Sequence, residues 1–562
     1  MRVFLLFLIG SLCASAVSAQ VRTESLHFSI EPSRQKSDGL YRVIESEPIV
    51  IPVSGEPFVS IAPTMDFGTR TPSHAHIQLR VSADGQTWTD WQDAGHDDHA
   101  ELREGLVQGQ LVFFPADASL VQFRVVSGLA DILPESVNLF MVNPGKTPEA
   151  DTKAKAVEFE VNTSATYALP VHVPRSSWGA SLNLSNLSTT MTTITVSHLW
   201  VHHSAGQTVS SDFAAVVRSY YSYHTGTLGW ADIGYNWLVD PNGVIYQGRP
   251  HVYSVVSETV TTDVQGAHAG NVNSRTMGIC VIGDYTSILP SAAAITSLRN
   301  MLAWKANEKR MDVLGTGAIG TVTYNILSGH RDNLSTPTSC PGNAFYPTLP
   351  NLRRRVHAYL NPPTVAWNRV APEAAGQMRI GFTIHPKRSQ TVYFIEYATN
   401  AEFTGSQTSP ERTIPVDVNE ATYFNETLAG LQTGTTYFAR VIAVNSDAST
   451  VGATQSFVAG VTTSVETRDD GRGTMDGFAL EQNYPNPFNP STQIRFNLPS
   501  SHVTRLTVFD LMGRQIAVLV DGPKAAGEHS VVFDATGLAS GVYMVELVAE
   551  GQRVTRLMTL LK

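Results

Sequence analysis

A change of hydrophobic rhythm divides this chain and limits what it can fold into. From residue 20 to 148, short runs alternate apolar and polar residues, as in HIQLRVSADGQTWTDW and QLVFFPADASLVQFRVV, and are broken by Asp-Gly and Pro signals. A period of two belongs to half-buried strands, so a β-sandwich is expected there. In the middle third, SDFAAVVRSYYSYH and SAAAITSLRNMLAWKANEKR repeat apolar residues at three and four between strand-like runs. That mixture of helix and strand periods reads as α/β. Beyond Pro362-Pro363 the strands return, in TVYFIEYAT, TTYFARVIAVNS and GLASGVYMVELVAEGQRVTRLMTLLK. One core cannot serve all of this, because single cores stop growing at roughly 250 to 300 residues.

The opening MRVFLLFLIGSLCASAVSA sets a basic residue, an apolar run and small residues in the order of a secretory signal, with cleavage expected after Ala19. The apolar run falls short of the about 20 residues that span a bilayer, and no later segment reaches that length. A soluble mature chain without a transmembrane segment is expected. Leu12 stands where a lipoprotein signal needs a small residue, which argues against lipidation of Cys13. Processing then leaves Cys280 and Cys340, too few for a disulfide framework in an exported protein. The 49 acidic and 39 basic residues are spread without a basic block, so the electrostatic footprint of a nucleic-acid binder is missing.

Chemistry-bearing residues concentrate in the middle third. ITVSHLWVHHSAG is an apolar strand ending in His202 and His203, and adjacent strand residues point to opposite faces, so one pocket receives only one of them. GWADIGYNWLVDPNGVIYQGR reads as a hairpin around Asp-Pro-Asn-Gly, with Tyr235 and Trp237 on one face. GAHAGNVNSRTMGICVIGDY is a loop and a buried strand, and SGHRDNLSTPTSCPG offers His330 and, ten positions later, Cys340. Singly, each has an ordinary reading: a hydrogen-bonded structural histidine, hairpin packing, or a Cys280 to Cys340 disulfide. The remaining histidine pair, His96 and His99 in GHDDHAE, reads as a solvated loop.

Together, RSSWGA (175 to 180), VHHSAG, DIGYNWLV, GAH, MGI and GHRD…TSCPG occur in the order found in peptidoglycan recognition proteins and type 2 N-acetylmuramoyl-L-alanine amidases, and residues 170–361 resemble that family. The resemblance implies a mixed β-sheet flanked by helices, with a groove across one face. It implies a Zn²⁺ site made by His202, His330 and Cys340 with a fourth position open to water, the layout of catalytic zinc. It also implies Tyr235 and Thr338 as groups acting on the transition state, and hydrolysis of the bond between N-acetylmuramic acid and L-alanine in peptidoglycan. Ten positions separate His330 from Cys340 where many recognition proteins have about eight, which bears on the local shape of that loop. The short internal disulfide common in animal members is missing, favouring a bacterial style of domain.

Gly229-Trp230 and Arg275 resemble members preferring diaminopimelate-type stem peptides, whose extra carboxylate an arginine can hold bidentately. His268 is expected to line the same groove. LQTGTTYFARVIAVNS resembles a fibronectin type III module with Tyr437 as its corner tyrosine. FALEQNYPNPFNPSTQIRFNLP and the strands after it resemble the C-terminal sorting domain of the type IX secretion system, implying passage through the outer membrane and then release or surface attachment. The expected layout is therefore a signal peptide over 1–19, a β-sandwich over 20–148, a linker over 149–169, an amidase domain over 170–361, a fibronectin-like domain over 362–463, a linker over 464–476 and a sorting domain over 477–562. Two rival functions are a peptidoglycan-binding module without catalysis and an adhesion protein whose β-domains do the work. Retention of Cys340 with both histidines favours the enzyme.

Overall fold

The computed structural model describes residues 20–31, 36–38, 41–70, 75–97, 104–129, 131–148, 167–182, 184, 192–206, 210–249, 252–253, 260–335, 337–460, 478–510, 514–549 and 552–561. The expected signal peptide with Cys13, His99, residues 149–166 of the first linker and all of the second lie outside them. The described residues fall into two compact units, one within Met1–Val461 and one within Thr462–Lys562. Among them, no helix is long and apolar enough to cross a membrane.

The first region is built from two antiparallel sheets. One carries Arg22–Ser29, Ser136–Asn143 and Phe58–Asp66 side by side, and the other centres on Leu120–Gly128 between Tyr41–Glu45 and Ala75–Ser82. Alternation sets the core: Ile77, Leu79 and Val81 lie opposite Val125, Phe123 and Val121, and all six are buried. Such directly opposed apolar pairs are the unit of sheet stabilisation. They meet Val59, Ile61, Met65, Val137 and Leu139 of the other sheet in one core.

The middle region is organised by a five-stranded mixed sheet in the order Ile245–Gln247, Trp237–Val239, Thr276–Val281, His198–His203, Leu327–Gly329. Only the edge hairpin of the first two is antiparallel. Both helix-period stretches form helices, Phe213–Gly226 and Ala292–Glu308, each started by a side chain accepting a backbone N–H: Asp212 from Ala215 and Ser291 from Ala294. Caps of this kind contribute about 1 kcal/mol each. Odd-numbered residues of His198–His203, Leu199 and Val201, pack with Met277, Ile279 and Val281 of the central strand against Ala292–Glu308 and the helix Leu349–Leu360.

Tyr235 and Trp237 do not share a face. Trp237 packs with Val239 and Ile245, its ring meeting Trp304 edge-on at 5.8 Å, whereas Tyr235 joins Leu238, Tyr246 and Cys280 on the other side. Alternation by two holds only within a strand, and the strand begins at Trp237.

The helix Phe213–Gly226 shares its core with the first region. Phe58, Ala62, Leu111 and Phe113 pack with Phe213, Val216, Val217 and Tyr220, and the Phe113 and Tyr220 rings meet edge-on at 5.8 Å. Polar bonds seal the junction. Arg218, 1 % exposed, donates to the carbonyls of Pro144 at 2.7 Å, Gly145 at 2.6 Å and Trp178 at 3.0 Å. Asp212 accepts from both the N–H and the hydroxyl of Thr147.

Residues 364–458 form two further antiparallel sheets around Ile380, Phe382, Ile395 and Val441. The Tyr437 hydroxyl there accepts the Gln432 N–H at 3.0 Å. Asp447, its side chain fully buried, pairs with Arg299 and Arg355 of the middle region. In the second unit, a three-stranded and a four-stranded sheet enclose Phe496, Leu506, Val508, Val545 and Leu547.

The shared core makes a prediction. Phe113→Ala should destabilise by about 3–5 kcal/mol, the usual cost of emptying a buried aromatic site. In urea denaturation followed by tryptophan fluorescence, the first and middle regions should unfold together at a lower midpoint. Two separated transitions with only one displaced would contradict the shared core.

Candidate metal centre

Parallel pairing assembles the centre. His202 pairs in register with Cys280 of one neighbouring strand, and Val201 pairs with Gly329 at the end of the other. His330 follows Gly329 directly, so it emerges beside His202 at the carboxyl ends of the strands, where open α/β sheets place their sites. The His203 ring, one residue on, serves the opposite face: its Nδ1 accepts the Tyr285 N–H at 3.2 Å. Parity thus separates the two adjacent histidines.

Cys340 is returned by the ten-residue loop, which is fastened along its length. The Arg331 N–H donates to the Cys340 carbonyl at 2.9 Å, and the Arg331 guanidinium reaches the Ser339 carbonyl and Asn343 Oδ1. Asn333 donates to the Ala269 carbonyl at 2.8 Å. At the loop's start the Asp332 carboxylate accepts from the Gly329 N–H at 2.9 Å and from the Tyr346 hydroxyl at 2.5 Å. At its end the Cys340 N–H donates to Thr338 Oγ1 at 2.9 Å.

The ligand atoms of His202, His330 and Cys340 lie within 4.8 Å of one another, all three residues being buried. His202 Nδ1 stands 3.7 Å from Cys340 Sγ. Tetrahedral zinc with Zn–N near 2.0–2.1 Å and Zn–S near 2.3 Å sets these atoms about 3.6 Å apart, so the pair fits the ion. Two supporting contacts suit a metal site. His202 Nε2 shares a hydrogen bond with His268 Nδ1 at 2.8 Å, which fixes the ring, and the His203 N–H donates to Cys340 Sγ at 3.4 Å, which favours a thiolate. Two imidazoles and a thiolate form a donor set suited to zinc.

Cys280 and Cys340 are both thiols, with no disulfide between them. Burial pushes the Cys280 thiol well above its ordinary pKa, partly offset by the Tyr235 hydroxyl. Tyr235 is itself buried, its ring 5.6 Å from that of His202, and burial first, then the acidic groups Cys280, Cys340 and Asp97 nearby, raise its pKa well above the ordinary phenol value. Such a phenol is a hydrogen-bond donor, and the Cys280 thiol is one group within its reach.

The other expected residues divide by position. His268 touches His202, and its Nε2 lies 3.3 Å from Thr276 Oγ1. Trp230 is half-buried and stacks on His224 at 4.7 Å, and the His224 ring lies 5.7 Å from that of Tyr235. Gly229 beside it holds φ +70° with nothing near its missing side chain, a backbone conformation other residues rarely adopt. Arg275 is exposed and level with Ser197, at the far end of the strand; at about 3.3 Å per residue this puts it roughly 16 Å from His202.

Sequence reading missed His224 and Asp97. His224 closes a helix and carries no motif. Asp97 belongs to the stretch read as a solvated loop, and while His96 is exposed, Asp97 is 5 % exposed and accepts from the Tyr223 hydroxyl. The apolar run Leu111 to Phe114, which fastens that loop onto the helix, was the available signal.

Residues 192–343 match the family described as N-acetylmuramoyl-L-alanine amidase. Peptidoglycan-recognition protein SC2 of Drosophila simulans is 35 % identical over 176 residues, which are 31 % of this chain and 82 % of that protein. The human N-acetylmuramoyl-L-alanine amidase is 32 % identical over 194 residues, 33 % of this chain and 29 % of that one. The solved structure of Drosophila PGRP-LB is 25 % identical, spans 31 % of this chain and 90 % of its own, and superposes with a TM-score of 0.25. The chain belongs to the family of peptidoglycan recognition proteins and N-acetylmuramoyl-L-alanine amidases, through its middle region. Residues 482–559 match a secretion system C-terminal sorting domain, the type IX address, which marks the chain for export or attachment at the cell surface.

The loop tethers are testable. Asp332→Ala removes the acceptor of two hydrogen bonds and should cost about 1–3 kcal/mol by urea denaturation of the full chain, with Asp332→Asn losing less. Equal midpoints for wild type and both variants would show that the tether does not hold the loop.

Proposed function

We propose that this chain is a zinc-dependent amidase that hydrolyses the bond between N-acetylmuramic acid and L-alanine in peptidoglycan. The observation that carries the reading is the buried cluster of His202, His330 and Cys340, with ligand atoms within 4.8 Å and a protonated Tyr235 alongside, in a region that belongs to the amidase family. Zn²⁺, when bound, polarises the scissile carbonyl and activates water as the nucleophile. His202, His330 and Cys340 hold it and leave one side for the substrate. His268 keeps the His202 ring in place.

Tyr235 donates its phenol proton as a hydrogen bond to the oxygen on which charge develops, at a position excluded from water, where such a bond is worth most. Thr338 accepts from the Cys340 N–H, and in this reading its hydroxyl also serves the same oxygen. Gly229, Trp230, His268 and Arg275 form the binding groove. Arg275, at the far end of the strand from the cluster, is placed to pair with a carboxylate further along an extended stem peptide, which favours the diaminopimelate type.

The remaining layout follows the same reading: a Sec signal over 1–19, a β-sandwich over 20–148, linkers over 149–169 and 464–476, the amidase domain over 170–361, a fibronectin type III-like domain over 362–463, and the sorting domain over 477–562 delivering the enzyme through a type IX system. The Gln432 N–H to Tyr437 hydroxyl bond supports the fibronectin-like assignment.

The full chain should bind one Zn²⁺ by metal analysis after dialysis and release free stem peptide from purified muropeptides, detected by mass spectrometry. Cys340→Ala should lose both, because a ligand and its charge are gone. Muropeptide binding by wild type without release would decide for a sensor. Tyr235→Phe should keep zinc and KM while kcat falls about 10²- to 10³-fold, the usual loss on removing one oxyanion donor. An unchanged kcat would remove Tyr235 from the chemistry.

A further inference from the structure

We propose that the first region, residues 20–148, contributes a positioning residue, Asp97, to the hydrolytic site. The inference rests on the amidase reading above and extends it to a segment outside the matched residues 192–343.

Three observations converge on Asp97. Its backbone N–H is tied to the Gln108 carbonyl at 2.9 Å, and its Oδ2 accepts from the Tyr223 hydroxyl at 2.5 Å, so both the backbone and the side chain of Asp97 are anchored. Second, Asp97, Ser204, Tyr220, His224 and Tyr235 line one cavity of about 20 Å³, which admits a single water molecule. That cavity runs from the first region to the phenol beside His202. Third, Leu111 and Phe113 next to it belong to the core shared with the helix Phe213–Gly226, so the loop cannot drift from the site without opening that core.

The chemistry follows from what a carboxylate can do. The Asp97 side chain already accepts the Tyr223 hydroxyl, so it faces the cavity with acceptor oxygens. A water there donates one proton to Asp97 and the other to the Tyr235 oxygen, which fixes the orientation of the phenol. Tyr223, already donating to Asp97, and the His224 ring, 5.7 Å from that of Tyr235, hold the same wall. Asp97 touches no reacting atom in this arrangement. It acts by orienting Tyr235.

The test uses the full, zinc-loaded chain. Asp97→Asn keeps an oxygen for the Tyr223 hydroxyl but replaces the other acceptor oxygen by an NH2 donor. kcat for stem-peptide release should fall about ten- to a hundredfold, with KM, zinc content and thermal midpoint unchanged, the size of effect expected when a supporting contact of an active group is lost. Tyr223→Phe should lower kcat less, and the double variant should fall no further than Asp97→Asn alone, because both act through one contact. Wild-type kcat in Asp97→Asn, with or without a lower thermal midpoint, would overturn the proposal and leave the amidase reading standing. No release by wild type would overturn both.

Discussion

The site depends on one constraint: the parallel pairing of His198–His203 with a strand on either side. Parallel neighbours end at the same edge, so residues at their carboxyl ends become neighbours although they are more than a hundred positions apart in sequence. His202 and His330 meet there through the register of Val201 with Gly329. Slipping either pairing by one residue would exchange His202 for His203, because strand side chains alternate faces. The buried apolar residues Leu199, Val201, Met277, Ile279 and Val281 oppose such a slip, since it would turn all of them away from the helices they pack against.

Cys340 needs a different device, because no strand delivers it. The loop from Arg331 to Cys340 is long enough to wander, and closing it costs chain entropy. The bonds from Arg331, Asn333 and Asp332 offset that cost and return the thiol to the end of the strand His198–His203, where the His203 N–H meets it.

Much of this was legible in sequence, for physical reasons that differ by residue. The two helices were visible because each has a capping side chain and a period near 3.6. Choosing between His202 and His203 was beyond periodicity, which says only that they part; the order of six motifs made the choice, and the structure sets His202 beside His330 and Cys340. Tyr235 and Trp237 were wrongly given one face, since no residue pattern marked that the strand starts only at Trp237. Asp97 was invisible for a deeper reason. Its burial is created by a partner surface more than a hundred residues downstream, and a polar loop destined for a junction carries the same composition as one facing water.

The choice between an enzyme and a binder turns on what a thiolate at this position is good for. Burying Cys340 beside two imidazoles, with a backbone N–H aimed at its sulfur, gathers three ligand atoms in a site shielded from water, an arrangement that suits a bound cation. A groove that only held muropeptide would gain nothing from that arrangement, and an apolar residue at the same point would pack better. The Tyr235 phenol adds to the case. Burial keeps it protonated, and the same burial holds the neighbouring Cys280 thiol well above its ordinary pKa. On the amidase reading such a donor serves a substrate oxygen that becomes charged, a condition that arises during hydrolysis rather than on binding.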